Sequence, residues 1–283
     1  MRYSAPHPRF QRDRLVLLAP SAAAVPAVFR SVDVDPARHA AILGDIQRLR
    51  GRTYLEDGAI LSSQLTADGR HALPVDAPSW HIASCEPGGE VIGCARYRAH
   101  EPAVRPEELG VWRSAAVNQP HRMRELHAAI EEDIARARRR QIAFVEVGGW
   151  AIAAHRRFSA EAMQIALSTF ALARGVGGCI GMTTATVRNC SSKILRKIGG
   201  HLLEPGGVTL RPYYDPQYGC EMELLRFDST TPNPRYEPWI DQMVRSLLDV
   251  TVICANVGFA TLDLPRVEIR PRAGSAMLER AVA

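Results

Sequence analysis

The sequence lacks the cysteine patterns of a disulfide scaffold or a zinc site. Six cysteines are scattered over 283 residues with no C-x-x-C pair, and no histidine stands at metal-ligand spacing from them. Secreted disulfide domains are small and dense in cysteine, and structural zinc sites use closely spaced ligand pairs. These absences favour reduced, mostly buried thiols in a cytoplasmic protein, and they predict neither a metal ion nor a tightly bound cofactor.

The chain also lacks an apolar run near the ~20 residues needed to span a bilayer. The apolar segment 14–24 follows basic residues, as a secretion signal would, but Pro20 and Pro26 interrupt it. We therefore expect no transmembrane segment and a cytoplasmic location.

No charge of one sign dominates the chain. It has 35 Lys and Arg against 30 Asp and Glu, a net charge of +5, which permits an acidic partner without requiring one. Basic and aromatic residues do not interleave, so nucleic-acid binding is not expected. The basic run from Arg136 to Arg140 follows three acids on the same predicted helix, which complements the helix dipole. Docking of an acidic carrier protein is the alternative function of this run.

What is present is a single α/β pattern without repeats, which favours one domain. Residues 1–30 are rich in Pro and Ala and are expected to form an N-terminal extension, residues 31–262 the domain, and residues 263–283 a polar tail. Asp35 and Pro36 supply a helix start. The predicted helices are 36–53, 122–140, 160–174, 191–198 and 239–248, and the predicted strands are 79–85, 91–97, 142–152, 179–186, 209–214, 220–227 and 251–254.

The most distinctive local feature is a pair of glycines, Gly148 and Gly149, inside the strand 142–152. Strand interiors avoid glycine, so two in succession indicate a bulge or a close approach to the backbone. Glu146 lies just before them, and a helix and a second strand follow as a βαβ unit. We expect the strands 142–152 and 179–186 to be parallel neighbours that separate at Gly148 and Gly149, leaving a V-shaped opening.

Four motifs in this order resemble the GNAT acyltransferase superfamily, in particular the acyl-homoserine lactone synthases and the long-chain N-acyl amino acid synthases. They are Arg50-Gly-Arg-Thr-Tyr54, Asp76 ahead of the strand at Trp80, Arg96 in Gly93-Cys-Ala-Arg-Tyr, and Glu146 in Glu-Val-Gly-Gly-Trp150. The resemblance spans about residues 29–254. It implies a mixed, mostly antiparallel sheet with a splayed parallel strand pair, flanked by helices.

The resemblance also implies a function: transfer of a fatty acyl group from an acyl carrier protein thioester to the amine of a small amino acid-like acceptor. Glu146 would be the general base, with a pKa raised in an apolar cleft. The amides around Gly149 and Trp150 would hold the oxyanion. Arg50 and Arg96 would grip a carboxylate of the acceptor, or alternatively only balance nearby acids. Asp76 would orient the acceptor amine, or alternatively stabilise a turn.

Three departures from the family refine the expectation. Gly149 stands where autoinducer synthases have an arginine, which puts recognition of S-adenosylmethionine in doubt. The segment 155–160 lacks the glycines that let backbone amides wrap a diphosphate, so Arg156, Arg157 and Ser159 with the following helix would hold one phosphate of a carrier-borne arm. Leu195 stands where many GNAT enzymes have a tyrosine acid, which leaves the leaving-group acid open.

The alternatives inside the enzyme class are a CoA-dependent acyltransferase and a homoserine lactone synthase. Outside it, the alternative is a catalytically silent protein that binds acyl groups or a partner. The discriminating feature is whether Glu146 faces the opening at the two glycines. His81 is expected to be structural, and Cys190 is not expected to be a nucleophile, because no histidine pairs with it in the sequence.

Overall fold

The computed structural model describes residues 15–22 and 24–256, which form ten strands and five helices. The strands are β1 Leu15–Leu18, β2 Val32–Val34, β3 Trp80–Cys85, β4 Val91–His100, β5 Ala143–Ile152, β6 Cys179–Thr186, β7 His201–Leu202, β8 Tyr213–Asp215, β9 Cys220–Asp228 and β10 Val252–Cys254. The helices are α1 Pro36–Glu56, α2 Pro120–Arg139, α3 Glu161–Gly175, α4 Ser191–Ile198 and α5 Glu237–Asp249. In this part of the chain no helix combines the length and apolarity needed to cross a membrane.

All ten strands join one mixed sheet in the order β2-β10-β1-β3-β4-β5-β6-β9-β7, with β8 also paired to β9. The pairs β2/β10, β10/β1 and β5/β6 are parallel, and the other pairs are antiparallel. The predicted class, a mostly antiparallel sheet with a parallel pair, is confirmed. The two predicted hairpins, β3/β4 and β8/β9, are also confirmed.

Helices cover both faces of the sheet. α3 and α5 pack together on one face, over a core that includes Ile82, Ala95 and Val145. The opposite face carries α1, packed over Cys94, and α2, packed over Phe144. Since side chains alternate along a strand, neighbouring residues of β4 and β5 serve opposite layers.

Helix α1 begins as its sequence predicts. The Asp35 carboxylate accepts a hydrogen bond from the Arg38 amide at 2.9 Å, and Pro36 occupies the first turn, where its missing N–H has no cost. The helix buries Ile46 and Leu49 against the sheet and ends at Glu56, three residues beyond the predicted end. This extra length brings its last turn to the opening described below.

The expectation that residues 1–30 form an extension is wrong for the strand β1. Leu17 and Leu18 are fully buried, and Leu17 pairs with Ile82 on one side and Val252 on the other. A short strand covered on both faces is uniformly apolar, so it has no alternation to distinguish it from a leader segment. The short strands β2 and β7 were not predicted either. Residues 1–14 and the predicted polar tail lie outside the described residues.

The parallel pair β5/β6 separates where the glycines are. Pairing runs from Ala143 with Cys179 to Glu146 with Met182 and stops there. Beyond that point β5 stays paired with β4 and β6 stays paired with β9. The predicted V-shaped opening is confirmed, and its apex lies at Glu146 and Met182.

Candidate active site

The two glycines build a bulge opposite β4. Arg96 pairs with Gly148 and Cys94 pairs with Ala151, so β5 advances one residue more than its partner. Gly149 has φ +61°, and a Cβ there would lie 3.2 Å from Arg50 Nη1 and 3.3 Å from Arg96 Cβ. Only glycine combines this left-handed backbone with so close an approach of two arginines. The bulge therefore widens the opening and seats it against positive charge.

Two cavities meet at this opening. The polar cavity, of about 480 Å³, is lined among others by Arg96, Arg98, Arg113 and Glu146. The apolar cavity, of about 560 Å³, is lined among others by residues of α3, α4, β6 and the far half of β5. The residues shared by both linings are Tyr54, Val147, Gly148, Gly149, Thr183, Thr184, Tyr218 and Met222. The V-shaped gap thus lies at the boundary between a charged cavity and an apolar one.

Glu146 lies on the wall of the polar cavity with the two glycines, which is the placement that favours an enzyme over a binding protein. His100 Nε2 is 3.0 Å from its Oε2, and the Val111 amide donates to Oε1 at 3.3 Å. Burial raises the pKa of Glu146, but the hydrogen bonds from His100 and from the amides of Gly110 and Val111 outweigh it. The net pKa is lowered, so the expectation of a raised pKa is wrong and the carboxylate is ionised at neutral pH.

Arg50 and Arg96 both line the polar cavity but are committed to Asp76. Arg50 is fully buried; its Nη1 donates to Asp76 Oδ1 at 3.0 Å and its Nη2 to Oδ2 at 2.6 Å. Arg50 Nη2 also donates to the His71 carbonyl. Arg96 Nη1 donates to Asp76 Oδ1 at 3.2 Å. The predicted alternative, in which these arginines balance an acid, describes this geometry, with Asp76 rather than Glu146 as the acid.

Asp76 lies behind these arginines and is 2% exposed. Burial raises its pKa, yet the hydrogen bonds and charge of Arg50, the Leu73 amide and Arg96 bring the net pKa well below the ordinary range. Asp76 is not part of the cavity lining, so the geometry favours holding the arginines over touching an amine. His81 is equally buried, with Nε2 2.9 Å from the Asp76 carbonyl, and lines neither cavity.

Strand β4 contributes a row of polar side chains, of which the sequence motifs identified only Arg96. Arg96, Arg98 and His100 alternate along the strand and therefore share the face covered by α1 and α2. Arg96 is held by Asp76 and His100 by Glu146, whereas the side chain of Arg98 makes no hydrogen bond or ion pair to any described residue. The period-two spacing of these polar residues was the signal that could have identified the row.

The apolar cavity has the shape and lining of a site for a hydrocarbon chain. Met163 and Ile165 of α3 face Ile194 and Leu195 of α4 across it, and Trp150 of β5 completes the wall. The Trp150 carbonyl accepts a hydrogen bond from Tyr54 Oη at 3.3 Å. Because the Leu195 side chain has no acidic proton, it cannot protonate a leaving thiolate.

The segment before α3 offers few free backbone amides. The amides of Arg156, Arg157 and Ser159 donate within the loop, to Ala153, Ala154 and Arg156 at 2.8, 3.2 and 3.3 Å. The Ser159 hydroxyl donates to the Arg156 carbonyl and accepts from the Glu161 amide. A diphosphate cradle of the usual kind is therefore not formed by these groups.

The two predicted phosphate-binding arginines separate in the structure. Arg156 is turned away from the cavity to an ion pair with Glu86 at 2.5 Å. Arg157 lines the apolar cavity and pairs with Asp57 at 3.0 Å, and Arg188 Nη2 donates to the Asp57 carbonyl at 2.8 Å. Arg157 and Ser159 line this cavity and Arg156 does not.

Two other features of the sequence, the basic run 136–140 and the cysteines, show no catalytic geometry in the described part of the chain. In the basic run, Arg136 pairs with Asp133, Arg138 donates to the Pro102 carbonyl and Arg140 pairs with Asp228. All six cysteines are free, and Cys190 is the exposed one among them, at the start of α4.

The comparisons with known proteins concern the fold. No model of a known protein family matches the chain, and no curated protein matches it. The solved structure of BjaI, a CoA-dependent acyl-homoserine lactone synthase with SAM and isopentyl-CoA, matches with a TM-score of 0.49 and 12% identity, over 85% of this chain and 92% of that chain. MesI, another CoA-dependent acyl-homoserine lactone synthase, matches with a TM-score of 0.47 and 15% identity, over 86% and 100%.

FeeM, an N-acyl amino acid synthase from uncultured soil microbes, matches with a TM-score of 0.41 and 14% identity, over 77% of this chain and 92% of that chain. The matched proteins thus include both groups that the sequence motifs resemble. At TM-scores below 0.5 these likenesses carry no residue role and no substrate over to this chain.

Proposed function

We propose that this chain is a GNAT-type N-acyltransferase of the cytoplasm, which moves a fatty acyl group from an acyl carrier protein thioester to the amine of a small amino acid-like acceptor. One observation carries the proposal: an apolar cavity and a polar cavity adjoin at Gly148 and Gly149, which line both, with the ionised Glu146 on the polar side. There the hydrocarbon chain of the donor can stay in the apolar cavity and the charged acceptor in the polar cavity while their reactive groups meet.

The chemical step proposed is direct attack. The amine nitrogen approaches from the polar cavity and bonds to the thioester carbon, and the carbonyl oxygen becomes an oxyanion. Backbone amides around Gly149 and Trp150, at the bulge, would hold that oxygen in a fixed position. Collapse of the intermediate breaks the C–S bond and leaves an amide and a free thiol.

Glu146 would receive the proton that the amine loses. Its lowered pKa makes it a weak base toward a free ammonium ion, but the nitrogen becomes much more acidic once it has bonded to the carbonyl carbon. His100 and the amides of Gly110 and Val111 hold the carboxylate in one orientation. The acceptor amine therefore has to arrive deprotonated, and its own pKa would set the acidic limb of the pH–rate profile.

Tyr218 is our candidate for the acid that protonates the leaving thiolate. Tyr54 and Tyr218 are the two phenols that line both cavities, and the Tyr54 hydroxyl already donates to the Trp150 carbonyl. Burial and the nearby Asp215 raise the pKa of Tyr218, so the phenol carries its proton at neutral pH and can give it to the thiolate as the C–S bond breaks. The proton taken up by Glu146 returns to solvent, and Tyr218 regains one from it.

The donor is proposed to be carrier-linked because its cavity has a basic rim and no diphosphate cradle. The basic rim consists of Arg188 and the exposed Lys193, Arg196 and Lys197 of α4, whose other side forms the cavity wall. Such a rim attracts an acidic carrier protein. Arg157 and Arg188, gathered by Asp57, would hold the single phosphate of the carrier's arm.

The test is a side-by-side measurement of kcat/KM with acyl carrier protein and acyl-CoA of equal chain length, reading the amide product by mass spectrometry. We expect the carrier-linked donor to be preferred by about tenfold or more at low salt, with the preference shrinking as salt rises. Equal or better use of acyl-CoA would overturn the donor assignment, and no amide from either donor would overturn the function.

A further inference from the structure

We infer that Arg98, with Arg113 in the lining of the same cavity, binds a carboxylate of the acceptor, so that the acceptor is an α-amino acid and not a simple amine. The inference rests on the acyltransferase function proposed above and assigns the anion-binding role to residues outside the sequence motifs. It replaces the expectation that Arg50 and Arg96 grip that carboxylate.

Arg50 and Arg96 are poorly placed for this role because their positive charge is already used. Both Nη atoms of Arg50 donate to Asp76, and the side chain has no exposed surface to offer. Arg96 retains partial access, at 17% side-chain exposure, but its Nη1 is also bound to Asp76. A ligand carboxylate would have to displace a buried aspartate to obtain their full bidentate geometry.

Unlike Arg50 and Arg96, Arg98 is not bound to an acidic side chain of the described residues. It lies in the polar cavity lining, between Arg96 and His100 on the same face of β4, and its side chain makes no hydrogen bond or ion pair to any described residue. Its partner in the strand register is Glu146. Glu146 nevertheless bonds to His100 and to the Gly110–Val111 turn, so the guanidinium next to it is left without a counter-ion from the described chain.

Arg113 adds a second unpaired guanidinium to the same cavity. It ends the turn Gly110–Arg113, whose amides bind Glu146, so the turn that fixes the carboxylate also presents this arginine. Like that of Arg98, its side chain makes no hydrogen bond or ion pair within the described part of the chain. Two planar forks in one cavity suit a carboxylate, which accepts paired N–H bonds from arginine.

The register also bears on the distance between the amine nitrogen and the carboxylate of the acceptor. Side chains that face each other across neighbouring strands start from Cβ atoms about 4.5–5.5 Å apart. An α-amino acid carries its nitrogen and its carboxylate on one carbon, so it can present the nitrogen to Glu146 while its carboxylate meets Arg98. An amine without a carboxylate leaves Arg98 unpaired, and a long ω-amino acid places the two groups too far apart.

The experiment compares amino acids with the amines that lack only the carboxylate. The probes are phenylalanine with phenethylamine, leucine with isopentylamine, and serine with ethanolamine, each given to the wild type with one acyl donor. For whichever pair reacts best, Arg98→Ala should lower kcat/KM for the amino acid by about 10–10²-fold, the loss expected for hydrogen bonds to a charged group. The same change should alter kcat/KM for the matching amine by less than about threefold, and Arg98→Lys should restore part of the amino acid activity.

Arg124→Ala is the matched control, because the Arg124 side chain is exposed on α2, makes no hydrogen bond or ion pair within the described chain and lines neither cavity. Equal losses for amino acid and amine in Arg98→Ala would overturn the inference, since that pattern reports a structural role. Preference of the wild type for the amines would overturn it as well. Calorimetric titration of the amino acid without donor gives an independent readout, with weaker binding expected in Arg98→Ala. Absence of transfer to every probe by the wild type would instead count against the acyltransferase function itself.

Discussion

The polar and apolar cavities share their dividing wall yet are built on different physical principles. The polar cavity is held open by charges that are buried and paired, above all the Asp76 carboxylate between Arg50 and Arg96. The apolar cavity is held open by the divergence of two strands and by aliphatic side chains of α3 and α4. The first therefore depends on exact charge balance, whereas the second tolerates substitutions that keep volume and apolarity.

The bulge at Gly149 connects the charged cluster, which consists of Arg50, Asp76 and Arg96, with the opening between β5 and β6. A Cβ at residue 149 would lie 3.2 Å from Arg50 Nη1 and 3.3 Å from Arg96 Cβ. The same residue lies in the stretch of β5, beyond Glu146, that no longer pairs with β6. A substitution in the charged cluster should therefore alter the geometry of the opening. A substitution in the apolar wall should leave the charged cluster unchanged.

The largest effect outside the chemical step is expected when the charged cluster is broken. Asp76→Asn keeps the shape but leaves Arg50 buried without its counter-ion, which should reduce the free energy of unfolding by about 3–5 kcal/mol. Chemical denaturation followed by circular dichroism measures this. Asp45→Asn, which breaks the exposed pair of Asp45 with Arg48 on the same helix, should remain close to the wild type.

The pH dependence of the Asp76→Asn effect follows from the direction of the pKa shift. The pKa of Asp76 is lower in the folded than in the unfolded chain, where it is about 3.9, so its stabilisation is present above that pH and is lost as the pH falls toward the folded value. The stability difference between wild type and variant should therefore shrink below about pH 4. A difference that stayed constant from pH 7 to pH 3 would assign the stabilisation to packing rather than to charge.

A smaller effect, on kcat, is expected from substitution of Tyr218, which lines both cavities. Tyr218→Phe should lower kcat by about 10²-fold with an alkyl thioester donor, because the leaving thiolate then lacks its acid. An aryl thioester expels a weakly basic thiolate that needs no proton, so the loss should be much smaller with that donor. Tyr54→Phe, which removes a hydrogen bond to the backbone, should affect both donors alike. Equal losses for both donors in Tyr218→Phe would contradict its role as the acid.

The sequence anticipated the features whose causes are local. The capped start of α1 at Asp35 and Pro36 and the bulge at Gly148 and Gly149 depend on neighbouring residues, and both were predicted. The splayed pair β5/β6 followed from the βαβ order around those glycines. Local chemistry was less informative for β1, because a strand buried on both faces shows no alternating pattern.

The partners of the charged side chains could not be predicted, because they are set by tertiary packing. Asp76 lies 26 residues from Arg50 in sequence, and Glu146 lies 46 residues from His100. Which arginine is neutralised and which is left for a ligand depends on these long-range pairs. The motifs therefore identified Arg50 and Arg96 as residues of the polar cavity but missed Arg98. The expected rise in the pKa of Glu146 was also wrong, because His100 could not be recognised as its partner.

The most direct test of the central claim, acyl transfer through the opening beside Glu146, is a time course of thiol release and amide formation by the purified protein. With the wild type we expect the two products to appear together in equal amounts, with no acylated protein detected by intact mass. Glu146→Gln should slow both by about 10²–10⁴-fold while its unfolding transition stays near that of the wild type, and the control Glu131→Gln, on the exposed side of α2, should not slow them. Near-normal rates in Glu146→Gln, or an acyl-protein intermediate in the wild type, would contradict the account.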